Sequence, residues 1–134
     1  MKTRIIAAVT CSLLLAGCLS VRGTVINANA VDPGMLRHLV LFKFEEGATA
    51  EQRQSVIDAF QALPSRVEDV VSFEYGAESS GRGLNKDFTN GGLFVFRDEA
   101  ALARYRDHPA HVEFVALTKG IVAELFIYDY RPAN

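Results

Sequence analysis

The nine residues Leu36-Arg37-His38-Leu39-Val40-Leu41-Phe42-Lys43-Phe44 decide the fold of this chain. At the period of two that a strand imposes, His38, Val40, Phe42 and Phe44 fall on one face and Leu39 and Leu41 on the other. Both faces of this strand, which spans 35–44, are therefore apolar. Downstream, Thr49 and Gln52 form the T-x-x-Q pair of a capping box. The helix they open carries Val56, Ile57, Phe60 and Leu63 in one stripe, and Pro64 is expected to end it. Residues 70–77 read as a second strand, with Val71, Phe73 and Tyr75 on one face. A Gly/Ser/Asn-rich loop follows over 78–90, and 91–96 make a third strand. Asp98 caps a second helix through Ala101, Leu102 and Tyr105. Pro109 breaks it and restarts a helix as a first-turn proline, running through Val112, Val115 and Leu117 to Gly120. Residues 125–130 form the last strand.

That order, β-α-β-β-α-β, is the ferredoxin-like split βαβ arrangement of the α+β class. An antiparallel sheet with helices on one side commonly leaves the other side wet and polar. Here the second side is apolar as well. Leu93 and Val95 oppose Phe94 and Phe96 on the third strand, and Leu125 and Ile127 oppose Phe126, Tyr128 and Tyr130 on the last. An apolar face of that size marks a partner surface, so the expectation is a two-fold homodimer with its sheets packed face to face. The alternative is that loop 78–90, or the segment before the first strand, lies over it.

Length and composition bound the rest. The chain has 134 residues, 49% hydrophobic and 22% charged, with no internal repeat, which fits one globular domain and excludes disorder, collagen and coiled coil. The net charge is −2 and the charges are interspersed, without a basic run or an aromatic-plus-Arg stripe, so no nucleic-acid partner is expected.

The N-terminus carries an address. Lys2 and Arg4 precede residues 5–17, thirteen positions of which ten are apolar and none charged. Crossing ~30 Å of hydrocarbon takes about 20 apolar residues, so this stretch has the proportions of a secretory signal. It ends in Leu15-Ala16-Gly17-Cys18, which resembles the lipobox of bacterial lipoproteins. The resemblance implies that residues 1–17 are a signal peptide and that Cys18 carries acyl chains. The domain would then be extracytoplasmic, held on a bacterial membrane by lipid. In a Gram-negative cell Leu19, in place of an inner-membrane retention Asp, would favour the outer membrane on its periplasmic side. Two or more acyl chains hold a protein on a membrane where one lets it go. Cys11 leaves with the signal, so no free thiol or disulfide is expected, nor thiol catalysis. The mature chain has twelve basic and sixteen acidic residues, a charge of −4. Residues 18–34, small and polar and ending in Asp32-Pro33-Gly34, read as a tether, with a short edge strand over 21–26 as the alternative.

Four segments together resemble one known family, the stress-responsive A/B barrel (Dabb) domain. Leu36 to Phe44 is similar to its opening strand, and Gly83-Leu84-Asn85-Lys86-Asp87-Phe88-Thr89 to its central loop. Tyr105-Arg106-Asp107-His108-Pro109-Ala110-His111-Val112-Glu113-Phe114 is similar to its H-P-x-H signature, and Tyr128-Asp129-Tyr130 to its closing strand. The likeness covers 35–131 in order. It implies a dimeric α+β barrel. The family's best understood class is a plant polyketide cyclase, whose acid–base Tyr and His match Tyr105 and His111; most bacterial members have no assigned activity. The first-strand His matches His38 and the second signature His matches His108. Where many members carry His after the loop Thr, this chain has Asn90, a neutral amide in place of a titratable ring.

Cyclisation by aldol attack needs a base to take a proton alpha to a carbonyl and a donor to hold the oxyanion. An imidazole suits the first and a phenol the second. His38 shares its face with Val40 and Phe42 and is therefore expected in an apolar barrel interior. The expected pocket then joins His38, Val40 and Phe42 with His108 and Asn90. Each polar residue also has a plainer reading. His108-Pro109 stops one helix and caps the next, His111 is a hydrogen-bonded structural histidine, and Tyr105 is a core ring with its hydroxyl at the rim. A metal on His108, His111 and His38 lacks a carboxylate at ligand spacing. No nicotinamide, nucleotide or flavin fingerprint is present, and Gly81-Arg82-Gly83 lacks the length and Lys of a phosphate-binding loop. Neither metal nor cofactor is expected.

Polyketide cyclases act on acyl thioesters made in the cytoplasm, and a lipid-anchored domain hangs outside it. The first expectation is therefore a dimeric barrel that binds a small apolar molecule in its pocket. Two others stay open: an acid–base enzyme using Tyr105 and His111, and a purely structural envelope or stress protein.

Overall fold

Residues 31–133 are described by the structure, a computed structural model. The expected signal peptide, Cys18 and most of the expected tether lie outside them. The elements run β1 (Leu36–Phe44), α1 (Ala50–Arg66), β2 (Ser72–Ala77), β3 (Asn90–Phe96), α2 (Glu99–Asp107), α3 (Pro109–Thr118) and β4 (Val122–Tyr130). The strands make one antiparallel sheet in the order β2-β3-β1-β4, a ferredoxin-like fold whose second helix is broken in two at Pro109. None of the helices among the described residues is long and apolar enough to cross a membrane.

Burial alternates along β1. Leu36, His38, Val40 and Phe42 are buried and the residues between them are partly exposed. The buried set packs with Val56, Phe60 and Leu63 of α1 and with Leu102 and Tyr105 of α2. This corrects the expected placement of His38, Val40 and Phe42: their face lies beneath the helices and is not the barrel interior. Period two says which residues share a face and is silent on which face the helices take. Phe60 settles it. Its ring stands edge-on to Phe42 at 5.2 Å, Phe94 at 5.3 Å and Phe73 at 5.5 Å, the geometry aromatic quadrupoles prefer. Gly92 admits this packing, since a Cβ there would lie 2.7 Å from both the Phe60 and Phe73 rings.

The helix ends follow from local chemistry. Thr49 Oγ1 accepts from the Gln52 amide at 3.2 Å and Gln52 Oε1 accepts from the Thr49 amide at 2.8 Å, closing the capping box. Asp98 accepts from the Ala101 amide at 2.8 Å at the head of α2. Pro64, expected to stop α1, lies inside it, buried; the helix continues to Arg66. Proline deletes one donor near a helix end, and the Val67 amide closes the terminus on the Leu63 carbonyl at 3.1 Å.

β4 is an edge strand and begins three residues earlier than its sequence pattern suggests, where Val122 pairs with Phe44 across an irregularity at Lys43/Phe44. It is exposed on both sides. Leu125 (48%) and Ile127 (53%), which pair with Phe42 and Val40, share the helix side; Phe126 (45%) and Tyr128 (55%), which pair with Leu41 and Leu39, share the open side. The 78–89 loop sends Phe88 toward that open side, 6.3 Å from the Phe126 ring.

Candidate functional site

His108 ends one helix and begins the next. It is the C-cap of α2, and its Nδ1 accepts from the Ala110 amide at 3.1 Å as the N-cap of α3. Pro109 then occupies a first-turn position, where its missing N–H is harmless. The change of direction brings Tyr105, in the last turn of α2, against His111, in the first turn of α3, with ring centroids 4.5 Å apart. His38 on β1 approaches from below, 6.2 Å from the Tyr105 ring and edge-on to it. Three of the expected residues, Tyr105, His111 and His38, therefore converge.

Four others do not join them. His108 is spent on the helix caps. Asn90 pairs with Phe42, four residues along β1 from His38, which is roughly 13 Å at ~3.3 Å per residue. It donates to the Tyr75 hydroxyl at 2.6 Å and lines a cavity of about 420 Å³ with Leu39, Leu41, Phe88 and Leu93 on the open side of the sheet. Val40 and Phe42 are core residues of the helix-covered face.

One residue of the cluster escaped sequence reasoning. Asp129 faces His38 across the β1–β4 ladder, and its carboxylate oxygen Oδ1 lies 2.5 Å from His38 Nδ1. The available signal was an acid in the middle of the apolar run 125–130, but the pairing that gives it meaning spans 91 positions.

Hydrogen-bond bookkeeping fixes the ring tautomers. A carboxylate and a backbone carbonyl only accept, so His38 Nδ1 donates to Asp129 and His111 Nδ1 donates to the Arg106 carbonyl at 3.0 Å. Whenever either ring is neutral, Nε2 is then its basic nitrogen. Burial draws the His111 pKa below its ordinary value, against the raising effect of its bond to the Arg106 carbonyl, which keeps the ring neutral near pH 7. Burial alone holds the Tyr105 phenol far above its ordinary range, so it remains a donor. Its hydroxyl has no hydrogen-bond partner among the described residues. The arrangement is a fixed phenol donor beside a neutral imidazole base, with a second imidazole oriented by a carboxylate.

The chain matches the family model of the Stress Responsive A/B Barrel Domain over residues 36–132. It is 37% identical over 99 residues to an uncharacterised protein of Streptomyces coelicolor, covering 72% of this chain and 99% of that one. It is 29% identical over 101 residues to the stress-response A/B barrel domain-containing protein HS1 of Arabidopsis thaliana, covering 75% and 93%. Among solved structures, a dimeric ferredoxin-like protein of unknown function from Thermobifida fusca superposes with a TM-score of 0.66 at 24% identity, over 77% of this chain and 96% of that one, a likeness of fold.

Proposed function

The chain belongs to the stress-responsive A/B barrel domain family, and from that premise we propose that Tyr105, His111 and His38 bind a small, largely apolar molecule and move a proton on it. One observation carries the reading: a buried phenol donor lies in ring contact with a neutral imidazole, beside an Asp129-oriented His38. His111 Nε2 takes the proton alpha to a carbonyl, and the Tyr105 hydroxyl donates to the oxygen where charge develops. Phe94 and Phe96 pack against the Tyr105 ring at 5.5 and 5.0 Å and hold the phenol in place.

Tyr105→Phe tests it by removing a single oxygen. The expected outcome is unfolding free energy within about 0.5 kcal/mol of the parent, together with loss of any small molecule that native mass spectrometry finds on the purified full chain. A loss of stability above ~2 kcal/mol would make the hydroxyl a structural group and overturn the reading.

The cavity on the open side favours a second reading, in which an apolar ligand sits between two sheets without turnover. It requires the homodimer, for which Leu39, Leu41, Phe126 and Tyr128 supply the apolar surface. We place the domain outside the cytoplasm, anchored through acyl chains on Cys18, on the strength of the signal pattern in residues 1–18. Cys18→Ala is expected to abolish sedimentation with membranes; a variant that still sediments would remove the anchor.

A further inference from the structure

A groove of about 320 Å³ runs along the outer side of α3, lined by Arg106, His111, Val112, Val115, Ala116 and Lys119, a volume at the lower end for small-molecule sites. His111 belongs both to this groove and to the Tyr105 pair. Val112, Val115 and Ala116 stand at i, i+3 and i+4 and make one stripe; the two valines are 56% and 43% exposed, conspicuous in a helix this short.

A cation stands at each of its two ends. Lys43, Arg66, Arg104 and Arg131 are paired with the carboxylates of Glu124, Glu113, Asp69 and Glu99. Arg106 and Lys119 are among the basic residues that make no ion pair with a described residue, and what sets them apart is that both line this groove. Two unpaired cations flank an apolar lane that ends at a candidate base.

We infer that the groove takes a carboxylate-bearing amphiphile, its anionic head on Arg106 beside His111 and its apolar body along Val112, Val115 and Ala116. The guanidinium offers a planar fork to the carboxylate. The methylene stem of Lys119 prolongs the lane while its ammonium stays in water. This inference rests on the proposed Tyr105–His111 chemistry only in placing the head of the molecule at the reacting end.

Binding of dodecanoate, below its micellar concentration, and of dodecanol to the full chain by titration calorimetry tests the idea. Dodecanoate is expected to bind about tenfold tighter than dodecanol, one charge-assisted hydrogen-bonded contact in affinity. Arg106→Ala should erase that preference, and Val112→Ser should weaken both ligands alike. Equal affinity for the acid and the alcohol, or a preference that survives Arg106→Ala, overturns the inference. So does binding of phosphatidylglycerol vesicles without binding of dodecanoate, which makes the groove a lipid-surface contact. Dissociation of a dimer by Val112→Ser would assign it to a second copy of the chain and overturn it equally. A protein that binds dodecanoate through Arg106 but is unfolded by Tyr105→Phe keeps the groove and loses the proposed chemistry, so the two failures are distinguishable.

Discussion

The two faces of this sheet are built from similar residues and meet different fates. Beneath the helices, Val40, Phe42, Phe94 and Phe96 are at most 7% exposed, and Phe42 and Phe94 interlock with Phe60. On the other face, Leu39, Leu41 and Leu93 stay partly exposed and Phe126 and Tyr128 about half exposed. Alternation along a strand separates two sets of side chains; the layer laid over each set decides whether it is core or surface. His38 belongs to the sealed set and sits where the helical layer is interrupted, which is why a polar group there meets others.

Three substitutions sharpen that contrast. The largest effect belongs to Phe60→Ala, which opens a cavity among Phe42, Phe73 and Phe94 and is expected to cost about 3–5 kcal/mol in denaturant unfolding. A cost near 1 kcal/mol would mean that the sealed face is not close-packed. Phe126→Ser, on the open face, should change unfolding measured at low concentration by less than about 1 kcal/mol, while sedimentation equilibrium shows the dimer dissociating. If the assembly is untouched, the two sheets do not meet there. The smallest effect is a pH dependence. The His111 pKa is lowered in the folded state, so the unfolded chain binds its proton first as pH falls below about 6.5. Stability is therefore whole above that pH and declines through the lowered folded pKa. In His111→Gln this part of the acid decline should vanish; an identical decline in both proteins would locate it in other groups.

Much of this architecture was legible because it is written locally. Thr49 with Gln52, Asp98 with Ala101 and His108 with Pro109 each set a helix end through neighbours within three positions. Period two was enough to group His38 with Val40 and Phe42. What it could not give was the side on which the helices settle, because that depends on Phe60 meeting Phe73 and Phe94 across distant strands. Asp129 was hidden for the same reason, its role being created by β1–β4 pairing. Pro64 misled through a rule that weakens in the last turn, where one missing donor is easily replaced. Within the candidate site, Tyr105 and His111 converge across the break that His108 and Pro109 of the same signature make, whereas Asn90 depended on a strand register that no local pattern encodes.

The bond from His111 Nδ1 to the Arg106 carbonyl has a mechanical consequence. Backbone bonds at the start of α3 reach back only to His108, so among the described residues this imidazole is the hydrogen-bonding group that crosses the joint into α2. The proposed base is thus also the fastener. Any motion that swings α3 away from α2 must first release His111, and any motion that keeps the bond carries the base with its mount. The aim of the imidazole and the angle between two helices become one coordinate, and a side chain far from the cluster that shifts that angle moves the imidazole as well.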